Sequence, residues 1–208
     1  MRESEILALA RQAGIAPGVS VLDLCCGAAG PGRLITRELR CDYLGVDASA
    51  AAVDGARERA VNLSCRFEVA RIPPVPAGPF DVVLLLETML AFRDKDALLR
   101  TIAGALTTGG RFAFTFEEGA PLTDDERRRM PDADTVWLTP LDEMLAMLRA
   151  AGLVVTWHED HSRSHRATAQ ALIDHGALGE LITAHRLWVE WLDSGRVRKF
   201  ALVARRPG

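Results

Sequence analysis

Lysine is nearly missing from this chain: of 25 basic residues only Lys95 and Lys199 are lysine, and the rest are arginine. Alanine is abundant, so the pattern reads as the coding bias of a GC-rich genome and carries no mechanism. A net positive charge is missing too. With 28 acidic residues against 25 basic ones, the chain lacks the field that nonspecific binding to a polyanion uses, which disfavours a nucleic-acid partner. No apolar run exceeds strand length: Phe80 to Leu86 is among the longest, and it is too short to cross a bilayer. The opening Arg2-Glu3-Ser4-Glu5 leads into apolar residues broken by Arg11 and Gln12, which is not the h-region of a secretory signal. No membrane association and a cytoplasmic location are therefore expected. Of the four cysteines, Cys25 and Cys26 are adjacent, while Cys41 and Cys65 stand near strand starts without metal-ligand spacing. Reduced thiols and no metal site follow. Internal repeats and low-complexity linkers are absent.

What is present is the balance of a folded globular protein, 49% hydrophobic and 25% charged over 208 residues. That length supports one well-buried core, so residues 1–208 are expected to form one domain. Ser4 can cap a short helix through Ala13, and Pro17-Gly18 turns the chain into a first strand, Val19 to Leu24. A small-residue loop, Cys25 to Gly32, precedes a helix from Arg33 to Leu39, and Pro31 suits that helix's first turn. Tyr43 to Asp47 is a second strand, after which Ser49 caps a helix through Ala60. Cys65 to Val69, Phe80 to Leu86 and Arg111 to Phe116 read as further strands, with a helix over Asp94 to Leu106. Strands alternating with helices indicate an α/β fold, a parallel doubly wound sheet.

Beyond Phe116 the pattern changes. A polar arm from Glu117 to Asp134 precedes a helix opened by Thr139-Pro140 and ended near Gly152. Leu153 to Glu159 is a strand, Ser164 to His175 and Leu178 to Asp193 are helical, and Val197 to Ala204 is a last strand. The run Asp124-Asp125-Glu126-Arg127-Arg128-Arg129 reads as a solvated helical surface rather than a basic patch. Trp188 and Trp191 are three apart, with Leu181, Ile182 and Leu192 at compatible spacing, so they share a helix face. Packing against the sheet is the expected use of that face; a lid over an apolar substrate would use the same stripe.

The informative unit is the first βαβ: a strand ending near Asp23, a loop through Gly32, a helix, and a second strand ending in Asp47. Small residues let backbone approach a ligand, N–H groups at a helix start can bind a carboxylate, and an acid ending the second strand can accept two ribose hydroxyls. Read structurally, Gly27, Gly30 and Gly32 only make a tight turn and Asp47 only opens a helix. The two features in this order favour a nucleoside-containing ligand.

Here the chain resembles the class I S-adenosylmethionine (SAM)-dependent methyltransferases. Val21-Leu22-Asp23-Leu24-Cys25-Cys26-Gly27 looks like their first motif. The likeness extends to Gly45-Val46-Asp47-Ala48-Ser49, to Glu68-Val69-Ala70-Arg71-Ile72-Pro73 ahead of Phe80-Asp81-Val82-Val83, and to Gly109-Gly110-Arg111-Phe112. The resemblance implies a seven-stranded, mostly parallel sheet with its last strand antiparallel and helices on both faces. It also implies SAM as cofactor and S-adenosylhomocysteine as product. Asp23 would orient the methionine ammonium, with Leu24 and the backbone of Cys25, Cys26 and Gly27 lining the amino-acid portion. Asp47 would hold the ribose, Ala48 would lie beside the adenine, Glu68 would accept from its amine, and the Val69 N–H would donate to its ring. Glu87 would sit where the methyl points toward the acceptor.

The chain departs from the family's pattern in three places. Cys25 stands where a first glycine is frequent and Ala29 where a third is usual, so a slightly tighter loop with retained binding is expected. Glu68 replaces a commoner aspartate, and its extra methylene can redirect the adenine contact. A nicotinamide-binding protein is the rival reading. Against it, Cys25 removes that fingerprint's first glycine, Asp23 would face a pyrophosphate, and no separate catalytic domain follows.

A methyl on a sulfonium is already activated, so alignment of the acceptor is the main task and removal of its proton the second. Candidates for the base are His161 first, then His165 and His158, with Glu87 and Glu117 at strand ends that face the ligand crevice. Each histidine has an alternative as a solvated loop or cap residue. Residues 117–139 and 161–194 lie where this family places substrate recognition. Strand four ends in Glu87-Thr88-Met89-Leu90 rather than the Asn-Pro-Pro-Tyr type of many base and amide N-methylating relatives. The expected partner is thus a small-molecule acceptor, methylated on O or N and of natural-product type, with the protein a monomer or homodimer. A SAM-bound cyclase or eliminase on the same fold, and a regulatory SAM binder, remain as alternatives.

Overall fold

The apolar runs of the first, second and fourth strands show almost no alternation, which suits strands covered on both faces. In the computed structural model, which describes residues 1–176 and 179–208, these runs form the centre of a seven-stranded sheet. The strands are β1 (Ser20–Leu24), β2 (Asp42–Asp47), β3 (Cys65–Val69), β4 (Phe80–Leu85), β5 (Leu106–Glu118), β6 (Val154–Asp160) and β7 (Arg198–Arg205), in the order β3-β2-β1-β4-β5-β7-β6. The first five pair in parallel, and β7 runs antiparallel to both β5 and β6. The expected topology is present, including the reversed last strand.

Side chains from alternate positions divide into two cores. Val21, Tyr43, Val82, Leu84, Ala113 and Val203 face α1 (Glu3–Gln12), α2 (Gly30–Leu39) and α3 (Ala50–Arg59). Leu22, Val46, Leu85, Phe112, Phe114 and Leu202 face α4 (Lys95–Ala105) and α6 (Leu141–Ala150). Each fully buried aliphatic or aromatic side chain contributes roughly 1.5–3 kcal/mol relative to exposure.

A third cluster joins the arm to the last helices, α7 (Ser162–Asp174) and α8 (Glu180–Asp193). Leu122, Met130, Val136 and Leu138 from the arm pack on Leu187 and Trp191. The Trp188–Trp191 pair meets edge to face at 5.5 Å. That face packs against the arm rather than the sheet, and Leu181 stands exposed.

Several boundaries differ from the sequence reading for local reasons. α1 starts one residue before Ser4 because the Arg2 N–H donates to Glu5 Oε2 at 2.8 Å, closing the first turn from the other direction. β5 begins at Leu106, opposite Phe80, and an irregularity before the Val82–Arg111 pair accommodates the Thr107–Gly110 stretch. Within the arm, Thr123 and Glu126 cap α5 (Asp124–Arg129) reciprocally, and none of that helix is buried. Leu178, where the sequence reading starts the last helix, lies outside the described residues.

Candidate active site

Ligand crevices of open α/β sheets lie outside the carboxyl ends of the parallel strands. A hollow of about 680 Å³ under Val75–Pro79 and Arg206 lies at the opposite end, where β4 and β5 begin. The carboxyl edge instead carries the loop after β1, the acids ending β2, β4 and β5, and, because β7 is reversed, residues near the start of β7.

The loop holds its shape through backbone and one carboxylate. Cys26 N–H donates to Val46 O at 3.0 Å, Ala29 N–H to Cys26 O at 2.8 Å, and Gly27 N–H to Asp47 Oδ2 at 2.8 Å. Asp47 Oδ1 accepts the Ser49 N–H at 2.9 Å. Each Asp47 oxygen therefore keeps a lone pair for a further donor such as a ribose hydroxyl. A Cβ added at Gly27 or Gly30 would meet nothing within 4 Å, so both border open space. At Gly32, by contrast, a Cβ would lie 2.1 Å from the Tyr43 hydroxyl.

That contact exists because Tyr43, the chain's only tyrosine, reaches across to donate to Asp23 Oδ2 at 2.5 Å. Asp23 is 3% exposed. Burial, opposed by the Tyr43 hydrogen bond and reinforced by the charge of Asp47, raises its pKa to about 7. A buried carboxylate with a hydroxyl rather than a cation as partner suits an ammonium ligand. These residues fit SAM: Asp23 toward its ammonium, Asp47 toward its ribose. Leu24 is fully buried and offers only backbone, Cys26 is buried in the adjoining core, and Ala48, Glu68 and Val69 are exposed at the β2–β3 edge. Burial and the nearby aspartates push the Cys25 thiol up to about 11 and that of Cys26 to about 12, so neither is a thiolate. Among the described residues all four cysteines are free and no cluster of potential metal ligands occurs.

Next to the loop, β4 ends in a turn at which Glu87 takes a left-handed backbone, φ 61°. Thr115 fixes it: its hydroxyl accepts from the Glu87 N–H at 2.8 Å and donates to Glu87 Oε1 at 3.0 Å. On the same face of β5, two residues on, stands Glu117, 4% exposed, and directly across the ladder stands Lys199, 1% exposed. Lys199 Nζ donates to Glu117 Oε1 at 2.5 Å and lies 3.1 Å from Glu87 Oε1. Burial raises the Glu87 pKa, but Lys199 and its other cationic neighbours outweigh it, holding the carboxyl down to about 2. The same two carboxylates overcome burial at Lys199 and raise its pKa. Glu117 Oε2 is buried without a hydrogen-bond partner.

Glu87 lines two sizeable cavities and a small recess. One, about 400 Å³, adjoins Gly30, Pro31 and Arg33 of α2 and Ile6 of α1. The other, about 240 Å³, is enclosed by Leu90, Glu117, His165, Thr168, Ala169, Leu172, His185 and Trp188. His165 Nδ1 lies 3.8 Å from Glu87 Oε2. Its pKa is lowered, first by burial and then by Lys199, with Glu117 and Glu87 pulling the other way. His161 is placed differently. It is buried at the start of α7, with Nε2 3.2 Å from Glu159 Oε2 and Nδ1 unpartnered, and it lines a small recess together with Glu5, Glu87, His165 and Lys199 rather than the 240 Å³ cavity. His158 is exposed on the edge strand β6.

The two lysines are the residues the sequence reading passed over. Lys199 is the cation of the site. Lys95 is 4% exposed and donates to Phe92 O and Trp137 O, both at 2.7 Å, tying the arm to the segment after β4. Burial, opposed by Glu117, lowers its pKa to about 8. Their rarity was the available signal: in a chain that uses arginine nearly everywhere on its surface, both remaining lysines are interior.

Known proteins resemble this chain in sequence and in fold. Residues 21–110 match a family model described as a methyltransferase domain. Phosphoethanolamine N-methyltransferase 1 of Arabidopsis thaliana is 37% identical over 99 residues, 46% of this chain and 20% of that protein; the chain thus spans about a fifth of that relative's length. The 27-O-demethylrifamycin SV methyltransferase of Amycolatopsis mediterranei is 33% identical over 170 residues, 75% of this chain and 62% of that one. Among solved structures, phosphoethanolamine N-methyltransferase 2 of Haemonchus contortus in complex with SAM superposes with a TM-score of 0.84 at 18% identity, covering 99% of this chain and 53% of that one. The [4+2]-cyclase SpnF superposes with a TM-score of 0.75 at 22% identity, covering 99% and 81%. At such identities the superpositions establish the fold. The chain thus has the fold of the class I SAM-dependent methyltransferases, and residues 21–110 match a methyltransferase domain.

Proposed function

We propose that this chain transfers a methyl group from SAM to an oxygen or nitrogen atom of a small molecule, an intermediate of natural-product type. The observation that carries the reading is the placement of Glu87. It lies between the loop that fits the cofactor and the 240 Å³ cavity, with its Oε2 3.8 Å from Nδ1 of His165, whose pKa burial lowers. When bound, SAM supplies a methyl already activated by its sulfonium. The chain's own residues then have two tasks. Asp23, Asp47 and the Cys25–Gly27 backbone hold and orient the cofactor. Glu87 and the walls of the smaller cavity position the acceptor, and His165 takes the acceptor's proton, a role typically worth about 10²–10⁴ in rate. His161, with its ring turned into the recess under α1, supports the start of α7. Residues 117–139 and 161–194, which supply Glu117, His165, Leu172 and Trp188, serve as acceptor-recognition elements within one domain.

The positive-charge deficit and the small cavity support a small molecule rather than a nucleic acid. No helix among the described residues is long and apolar enough to cross a membrane. The test is incubation with SAM and a panel of acceptor classes. S-adenosylhomocysteine should form together with a product heavier by one methylene unit. Conversion of an acceptor with SAM left intact would instead favour a cyclase or eliminase, the kind of reaction named for one structural neighbour.

A further inference from the structure

Glu117 carries a buried oxygen that nothing in the protein satisfies, and it stands at the wall of the cavity proposed for the acceptor. We propose that the acceptor is a primary or secondary amine on an apolar body, its ammonium bound by Glu117 and Glu87 at the closed end of the 240 Å³ cavity. The inference rests on the methyltransferase reading and narrows its choice of atom to nitrogen.

Charge is the first argument. Two carboxylates, Glu87 and Glu117, share one ammonium, Lys199, which sits in the sheet behind them and contacts both. The remaining titratable groups on the cavity wall are His165 and His185, so the wall itself presents two carboxylates and no lysine or arginine; Lys95 and the N-terminal ammonium act on them from outside it. Hydrogen bonding is the second argument. An unmade bond at a buried acceptor costs about 1–3 kcal/mol, and more for a charged group. A hydroxyl would bring one donor and no charge; an ammonium brings two or three donors and a positive charge to face the two carboxylates. The third is shape: Leu90, Ala169, Leu172 and Trp188 form apolar walls that suit a hydrocarbon or aromatic body behind the nitrogen.

The bound ammonium must lose a proton before its nitrogen can act. His165, 3.8 Å from Glu87, takes it. The amine is left neutral with a free electron pair, and the resulting imidazolium is paired with the Glu87 carboxylate.

Calorimetry on the whole chain tests this. S-adenosylhomocysteine is titrated first. Under saturating S-adenosylhomocysteine, 2-phenylethylamine is then compared with 2-phenylethanol, and hexylamine with 1-hexanol. Each amine should bind at least about tenfold more tightly than its alcohol, the span of a charge-assisted hydrogen bond. Glu117→Gln should erase that preference while still binding S-adenosylhomocysteine. Alcohols that bind as well as the amines would overturn the inference and leave the methyltransferase reading standing, whereas failure to bind S-adenosylhomocysteine would overturn both. If Glu117→Gln does not fold, the comparison in the unmodified protein decides alone.

Discussion

Replacing Asp23 by asparagine should make the ligand-free protein more stable and its hold on the cofactor weaker. Asparagine keeps the shape and an oxygen to accept the Tyr43 hydroxyl, which now lies 2.5 Å from Asp23 Oδ2, but it removes the charge. In the folded chain the Asp23 pKa is raised from 3.8 to about 7. Between those values the unfolded chain has released the proton while the folded chain retains it, so stability falls as pH rises through the window. Above the window the cost reaches about 4 kcal/mol, and roughly 2–3 kcal/mol of it accrues between pH 5 and pH 8. The stabilisation by Asp23→Asn should therefore grow by about that amount over the same interval. For a chain of this length it corresponds to a gain in Tm of about 4–12 °C on going from pH 5 to pH 8. The cofactor's ammonium loses a charge-assisted partner in the variant, which should weaken S-adenosylhomocysteine binding by about 10–150-fold. Thermal unfolding at the two pH values and calorimetry at pH 8 measure both effects. A stability difference independent of pH, or unchanged affinity for S-adenosylhomocysteine, would refute the assignment of a buried carboxylate facing a ligand cation.

Four further outcomes follow from the same contacts. Asp47→Ala should weaken S-adenosylhomocysteine binding by at least tenfold, and circular dichroism should stay unchanged because no core side chain is removed; calorimetry reads the affinity. Gly32→Ala places a methyl 2.1 Å from the Tyr43 hydroxyl and should cost about 1–3 kcal/mol in urea unfolding by overpacking. His165→Ala should lower kcat by about 10²-fold or more with cofactor affinity unchanged, while His161→Ala should retain turnover; equal losses in steady-state kinetics would return the two histidines to the same footing. Lys95→Met leaves two half-buried carbonyls without their donor and should raise the rate of proteolytic cleavage in the arm between residues 117 and 139.

The arrangement proposed to hold the cofactor was legible in the sequence because it is local. Asp23, the loop and Asp47 belong to one βαβ unit, and their spacing is fixed by the lengths of a strand and a helix. The acceptor half was only partly legible. Glu87, Glu117 and His165 were recognisable as strand-end or helix-start candidates, but which histidine faces the cavity depends on the turn where α7 begins. That turn was placed two residues late, and the structure turns His161 inward and His165 outward. Lys199 was invisible for a different reason. Its partner Glu117 is 82 positions away and becomes its neighbour only because β7 inserts between β5 and β6 and runs backward. Only that topology puts an interior lysine at the carboxyl edge of parallel strands.

The loop after β1 separates two meanings of a sequence motif. Judged by residue identity, Cys25 and Ala29 break the glycine pattern of the family. Judged by conformation they do not, since Cys25 has φ 58° and Ala29 has φ 52°, the same left-handed region that Gly27 occupies at φ 53°. A non-glycine residue in that region costs roughly 1–2 kcal/mol, and such strain persists only where the surroundings over-determine the backbone. Here they do: Cys26 N–H is bonded to β2, Gly27 N–H to Asp47, and Ala29 N–H back to Cys26, while the Ala29 methyl is fully buried. The loop is therefore kept in a shape its sequence alone disfavours, by bonds that converge on Asp47 and the strand that ends there. That carboxylate fixes the loop; with the ribose held there too, as proposed, cofactor binding and loop order are coupled through a single side chain. A ligand that engages Asp47 should lower the mobility of Cys25–Ala29, and amide hydrogen exchange across those residues should slow on adding S-adenosylhomocysteine to the native protein but not to Asp47→Ala.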